Sequence, residues 1–185
     1  MKIIVDEELT KRWKNWQRKI KEIIAEVSSQ FKKQVGVELK IKEIQKWKHS
    51  EEFQKKLGEG WKRLILFDII EKEIHSSLPT NKKEILIAIS GLKEVLTHAD
   101  QEKGYVIMSS EFEKCYRESF KGEIPKYIEE TFKTFSQTLM HEICHLFGAE
   151  HANGNSVMGL KATFEIDREN KRVILLNKYR YKFKR

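Results

Sequence analysis

Residues 141 to 151 read HEICHLFGAEH, and three of the chain's six histidines fall inside this stretch. His141 and His145 stand at i and i+4, so a helix would aim both imidazoles at one point, and zinc accepts nitrogen at about 2.0–2.1 Å. A straight helix cannot bring a third ligand to that point, because position 151 would lie about 9 Å further along the axis and far round it. Gly148 stands where the chain has to turn, since glycine takes positive φ without a Cβ clash, and His151 can then swing back. Three neutral imidazoles would leave a tetrahedral zinc one position for water, whose pKa falls toward about 7 there. Glu142 is placed to take the water's proton and pass it to a leaving amine. These residues predict amide hydrolysis by an activated water, with one catalytic Zn(2+) and no covalent intermediate. A bare HExxH arises by chance in about one chain in fifty of this composition, and the full pattern in about one in tens of thousands. A non-metal reading is set aside on that ground.

Such a site needs a helix that packs on a scaffold while its ligands face a cleft. Ile128, Phe132, Phe135, Leu139, Ile143 and Leu146 repeat at helical spacing over a helix expected from Pro125 to about 147, and His141 and His145 fall on a different face. Upstream, Leu9, Trp13, Trp16, Ile20, Ile23, Ile24, Val27, Phe31 and Val35 mark one long helix, with Asp6 as its cap and Gly36 at its end. VELKIKEI alternates as a strand over 37–44, and a second helix is expected from 50 to about 77, loosened at Gly58 and Gly60. EILIAIS at 84–90 reads as a central strand covered on both faces, and YVIMSS at 105–110 as another strand. The closing segment reads as a helix capped by Asp167 or as a hairpin turning at DREN.

The chain has 185 residues, 39% hydrophobic and 35% charged, which suits one globular domain with a core around a cleft. Its net charge of +8 names no partner, because no nucleic-acid signature accompanies it, and the basic residues are scattered apart from the tail KYRYKFKR. Cys115 and Cys144 are too few for a disulfide framework, which favours a reducing compartment. With no signal-like segment and no membrane-length stretch, a cytoplasmic location is expected, although a secreted protein whose signal had been removed would read the same way. Cys144 reads as a small buried residue rather than a ligand, and His49, His75 and His98 as surface residues. The expected partners are peptide or protein substrates, with no specific nucleic acid, no membrane and a monomeric state.

HExxHxxGxxH followed by the methionine of SVMG resembles the metzincin clan of zinc metallopeptidases. The resemblance implies His141, His145 and His151 as ligands, Glu142 as general base, Gly148 as the structural turn and Met158 as the Met-turn residue beneath the ligands. It also implies an α+β, α/β/α-like domain: a twisted mixed sheet with an antiparallel edge strand, two scaffold helices, the active-site helix and a C-terminal helix. On this reading residues 1–185 form a single domain, with an upper subdomain of about 1–148 and a lower one of about 149–185. Tyr105, Val106, Ile107, Met108 and Ser109 would be the edge strand on which a peptide adds. An open edge binds chain on both sides of the scissile bond, so an endopeptidase is favoured over an aminopeptidase.

Some features depart from the clan's pattern. Only six residues separate His151 from Met158, and Leu160 occupies the place where some metzincins carry a zinc-binding tyrosine, so no fifth ligand is expected. Ala152 after the third histidine assigns no subfamily. Two alternatives stay open at this level: a proteolytically silent zinc-binding module of the same fold, and a basic nucleic-acid-binding protein. The retained Glu142 favours the enzyme, because zinc binding alone does not require it.

Overall fold

The computed structural model describes residues 1–60, 63–75, 84–93, 95, 97–110, 135–159 and 163–179. Five strands form one mixed sheet: β1 (Lys2–Asp6), β2 (Glu43–Trp47), β3 (Leu86–Ser90), β4 (His98–Asp100) and β5 (Tyr105–Ser109), in the order β2-β1-β3-β5-β4. The first four in that order run parallel, and β4 pairs antiparallel with β5. Six helices accompany them among the described residues: α1 (Glu7–Arg12), α2 (Trp16–Val35), α3 (Glu51–Gly58), α4 (Arg63–His75), α5 (Phe135–Leu146) and α6 (Arg168–Asn177).

The layering follows from the strand order. The chain steps from β1 to β2 in one direction and from β2 to β3 in the other, and right-handed crossovers then put their helices on opposite faces. Strand residues divide accordingly. Ile3, Val5, Ile87, Ile89, Val106 and Met108 pack with α2 and α5, whereas Ile4, Leu86, Ala88, Tyr105 and Ile107 pack with α3 and α4. The α+β, α/β/α architecture expected from the motif resemblance is the one observed.

Several expected elements differ in detail. β1 is a central strand where the sequence reading placed none: Ile3, Ile4 and Val5 are a three-residue apolar run, too short for periodicity to separate strand from helix. The first long helix is two, α1 and α2, broken around Trp13–Asn15. Asp6 does cap α1, accepting from Leu9 N at 2.8 Å, and Gly36 ends α2 at φ 70. β2 begins at Glu43 and not at Val37, and the second helix is interrupted between α3 and α4, with Gly60 at φ 72. The closing segment is the helix α6, with Asp167 accepting from Asn170 N at 3.0 Å; the hairpin alternative is ruled out. Cys115, Ile128, Phe132 and Leu160 lie outside the described residues.

Two corrections matter more. Tyr105–Ser109 is not the edge strand. It is fully buried between β3 and β4, and the edge on that side is His98–Asp100. His49 is not a surface residue: it is 5% exposed, with Nε2 3.2 Å from Asp6 Oδ2 and Nδ1 3.1 Å from Glu73 Oε2. Asp6 also accepts from Gly91 N at 2.9 Å and from the Ser90 hydroxyl. Burial alone would depress the His49 pKa, but the two carboxylates outweigh it and the net shift is upward. A histidine read from its polar sequence neighbours gave no sign of this, since Asp6 and Glu73 are distant in sequence. His75 and His98 are exposed, as expected.

Candidate active site

Helix α5 places the first part of the site. Leu139, Ile143 and Leu146 are wholly buried, with Met140 and Cys144 beside them in the core that α5 shares with α2. Burying this stripe fixes the helix about its axis and turns His141, Glu142 and His145 toward a cleft of about 500 Å³. The Cys144 thiol is fully buried, and burial pushes its pKa well up, so it behaves as a small core side chain and not as a thiolate.

The helix stops where glycine permits it. Phe147 N and Ala149 N both donate to Cys144 O, at 3.0 and 3.1 Å, and Gly148 N donates to His145 O at 2.8 Å. Gly148 has φ +86, the left-handed conformation that closes helices and that side chains resist. A Cβ there would also stand 3.0 Å from both Asn177 Nδ2 and Gln101 Nε2. The turn reverses the chain and returns His151 to the helix.

The three imidazoles converge. His145 Nε2 and His151 Nε2 lie 3.1 and 3.2 Å from His141 Nε2. Two nitrogens bound tetrahedrally to one ion at about 2.0–2.1 Å would be about 3.3 Å apart, so the donor set fits a metal ion. Backbone carbonyls fix which nitrogen faces inward. His141 Nδ1 donates to Val157 O at 2.7 Å and His145 Nδ1 to Ala149 O at 2.8 Å, which leaves each Nε2 as the acceptor. Burial lowers the His141 pKa to about 4, helped by the neighbouring histidines against its bond to Val157, and burial also lowers that of His145. Both are therefore neutral at pH 7, the form that binds metal.

The segment after the turn is held from below. Ala152 N donates to Met158 O at 2.8 Å, and Val157 N to Glu165 O at 2.6 Å. Met158 is 1% exposed and belongs to the core, and Val157 beside it supplies the carbonyl that orients His141. Asn170 of α6 clamps Glu150, accepting from its N–H at 3.0 Å and donating to its carbonyl at 2.9 Å. Gln34 of α2 brackets residues 164 and 166 in the same way.

Glu142 is 9% exposed, and burial pushes its carboxyl up to about 8. It lines the cleft beside the histidines; opposite, the wall is Thr97, His98, Ala99 and Gln101, from β4 and its flanks. The His98 ring itself turns to Phe67 and Tyr105 on the other face of the sheet. The structure thus brings His141, Glu142, His145, Gly148 and His151 together, buries Met158 in the core, and keeps Tyr105–Ser109 away from the cleft surface. Asn170, Asn177, Gln101 and β4 were missed. Only β4 left a signal: HADQEKGY turns at Gly104, whose φ is 76 and whose N–H donates to Asp100 O at 2.8 Å.

The family model described as metallo-peptidase family M12 matches residues 1–169 of the chain. No curated protein matches it.

Proposed function

The chain belongs to metallo-peptidase family M12, and from that premise we propose a zinc endopeptidase in which His141, His145 and His151 hold one zinc ion and Glu142 moves the proton. The observation that carries this reading is the convergence of three Nε2 atoms, those of His145 and His151 standing 3.1 and 3.2 Å from that of His141, on the cleft that Glu142 lines. A three-nitrogen set that leaves room for a further ligand suits a catalytic rather than a closed structural zinc.

Zinc, when bound, supplies Lewis acidity that makes water more acidic and a peptide carbonyl more electrophilic. The chain's own groups do the rest. Glu142 takes a proton from the attacking water as the new C–O bond forms, and delivers it to the amide nitrogen as the C–N bond breaks. Burial raises the proton affinity of its carboxylate, which suits the accepting half of that cycle. A peptide lies along the outer edge of β4, continuing the sheet through main-chain hydrogen bonds, with chain on both sides of the scissile bond. The cleft then divides one domain into residues of about 1–148 above and about 149–185 below.

Zinc content and cleavage of an amino-terminally blocked peptide library test the proposal in wild type and Glu142→Ala. The expected result is one zinc in both, internal cleavage by the wild type, and a rate lower by about 10²–10⁴ in the variant. Zinc without internal cleavage in the wild type would overturn the endopeptidase. Cleavage undiminished in Glu142→Ala would overturn the proton carrier.

A further inference from the structure

The chain's positive charge has an address. Residues 168–185 carry eight Lys and Arg against a single Glu, so seven of the eight net positive charges sit there and the preceding 167 residues are nearly neutral. In sequence, positions 178–184 alternate basic and aromatic residues: Lys178, Tyr179, Arg180, Tyr181, Lys182, Phe183, Lys184.

The described part of this segment also has an unusual outer face. Helix α6 buries Ile174 and Asn170 inward. Arg168, Arg172 and Leu175 are exposed and lie within about 60° of one another at about 100° per residue. Lys178 keeps right-handed helical angles, φ −57 and ψ −19, which carry the same stripe on to Tyr179. Leu175, Leu176 and Tyr179 are 40%, 74% and 57% exposed, and they are the exposed large hydrophobic residues among the described ones. The other large apolar side chains among the described residues are buried or half-buried, and these three stand out beside the segment's positive charge.

We propose that the outer face of α6, from Arg168 through Leu175 and Leu176 to Tyr179, is a docking surface for an anionic phospholipid membrane. Lys and Arg at such a surface gain from its negative potential, Tyr179 settles at headgroup depth, and leucines gain by entering the acyl boundary. A nucleic acid would satisfy the charge and could stack on the aromatic rings, but it gives solvated Leu175 and Leu176 no apolar place to go. Docking is peripheral: no helix among the described residues is long and apolar enough to cross a membrane. The expectation of no membrane partner rests on the absence of a spanning stretch, which a helix lying on a membrane surface does not need. Because the inner face of α6 clamps Glu150 and, through Asn177, Phe147 O, the same helix that docks would hold the catalytic cleft at the membrane.

Vesicle flotation tests this without any readout of peptidase activity. The probes are phosphatidylcholine vesicles with and without phosphatidylserine, at low and high salt, and a single-stranded oligonucleotide as a rival polyanion. Wild type is expected on the phosphatidylserine vesicles only, with binding falling as salt rises. Arg168→Gln/Arg172→Gln is expected to weaken binding by about fivefold for each arginine removed. Leu175→Ser/Leu176→Ser is expected to weaken it about tenfold or more while leaving oligonucleotide binding unchanged. All four positions are exposed, and circular dichroism is the check that the variants fold. No binding to phosphatidylserine vesicles, equal binding to both vesicle types, or vesicle binding indifferent to the leucine changes would each overturn the proposal, the last leaving a general polyanion site.

Discussion

Gly148→Ala separates the turn from the ligands, because it alters no side chain that could touch a metal. A non-glycine residue in the left-handed region costs about 1–2 kcal/mol. The added Cβ would stand 3.0 Å from the ends of Asn177 and Gln101 and 3.4 Å from Val173 Cγ1. Those amide ends can shift, but Asn177 donates to Phe147 O at 3.0 Å, and displacing it forfeits a hydrogen bond of about 1 kcal/mol. The sum is a loss of about 2–3 kcal/mol, which for a domain of this size lowers Tm by roughly 5–10 °C. Denaturant unfolding with chelator present measures the cost on the metal-free fold, and a zinc titration against a competing chelator measures what reaches the site. Both should worsen, since the same turn that ends α5 returns His151. A change below about 0.5 kcal/mol with unaltered zinc affinity would refute the reasoning, since it would mean that the turn tolerates a Cβ and that His151 does not depend on it.

Asn170→Ala removes both hydrogen bonds to the Glu150 backbone. It should cost about 1–3 kcal/mol in unfolding and weaken zinc binding in a chelator competition, because His151 is the next residue. Stripping the metal should abolish peptide cleavage and zinc should restore it, with thermal unfolding rising as zinc is added, by about 2.7 kcal/mol at a hundredfold excess over Kd. Stability should fall with alkaline pH: His49 has a raised folded pKa, so its contribution is complete below 6.5 and is lost as pH rises toward the folded value, at up to about 1.4 kcal/mol per pH unit. Denaturant titrations at pH 7 and 8 should show that slope, and His49→Gln should reduce it to the part that Glu142, raised by burial, contributes in the same direction. In the acid direction Asp6 and Glu73, lowered by hydrogen bonds that outweigh their burial, lose their contribution as pH falls below their ordinary values of 3.8 and 4.5.

HEICHLFGAEH could be read without a structure because its information is local. The i, i+4 pair, the glycine at the reversal and the third histidine obey helix geometry and backbone sterics, which a few consecutive residues determine. The apolar stripe of α5 and the cap at Asp167 are local in the same sense, as is the run that becomes β3. Tertiary structure alone decided the rest. Whether Tyr105–Ser109 lies at the edge or one strand in depends on where His98–Asp100 pairs, and a three-residue strand has too little pattern to announce itself. His49 sits among exposed-looking neighbours in sequence, yet Asp6, 43 residues before it, and Glu73, 24 after, meet it in the interior. Asn170 becomes a clamp on Glu150 only because α6 packs behind the Gly148 turn. Backbone geometry and short-range periodicity are written in neighbouring residues; strand order, burial of a charge and support for a ligand are relations between residues that only folding brings together.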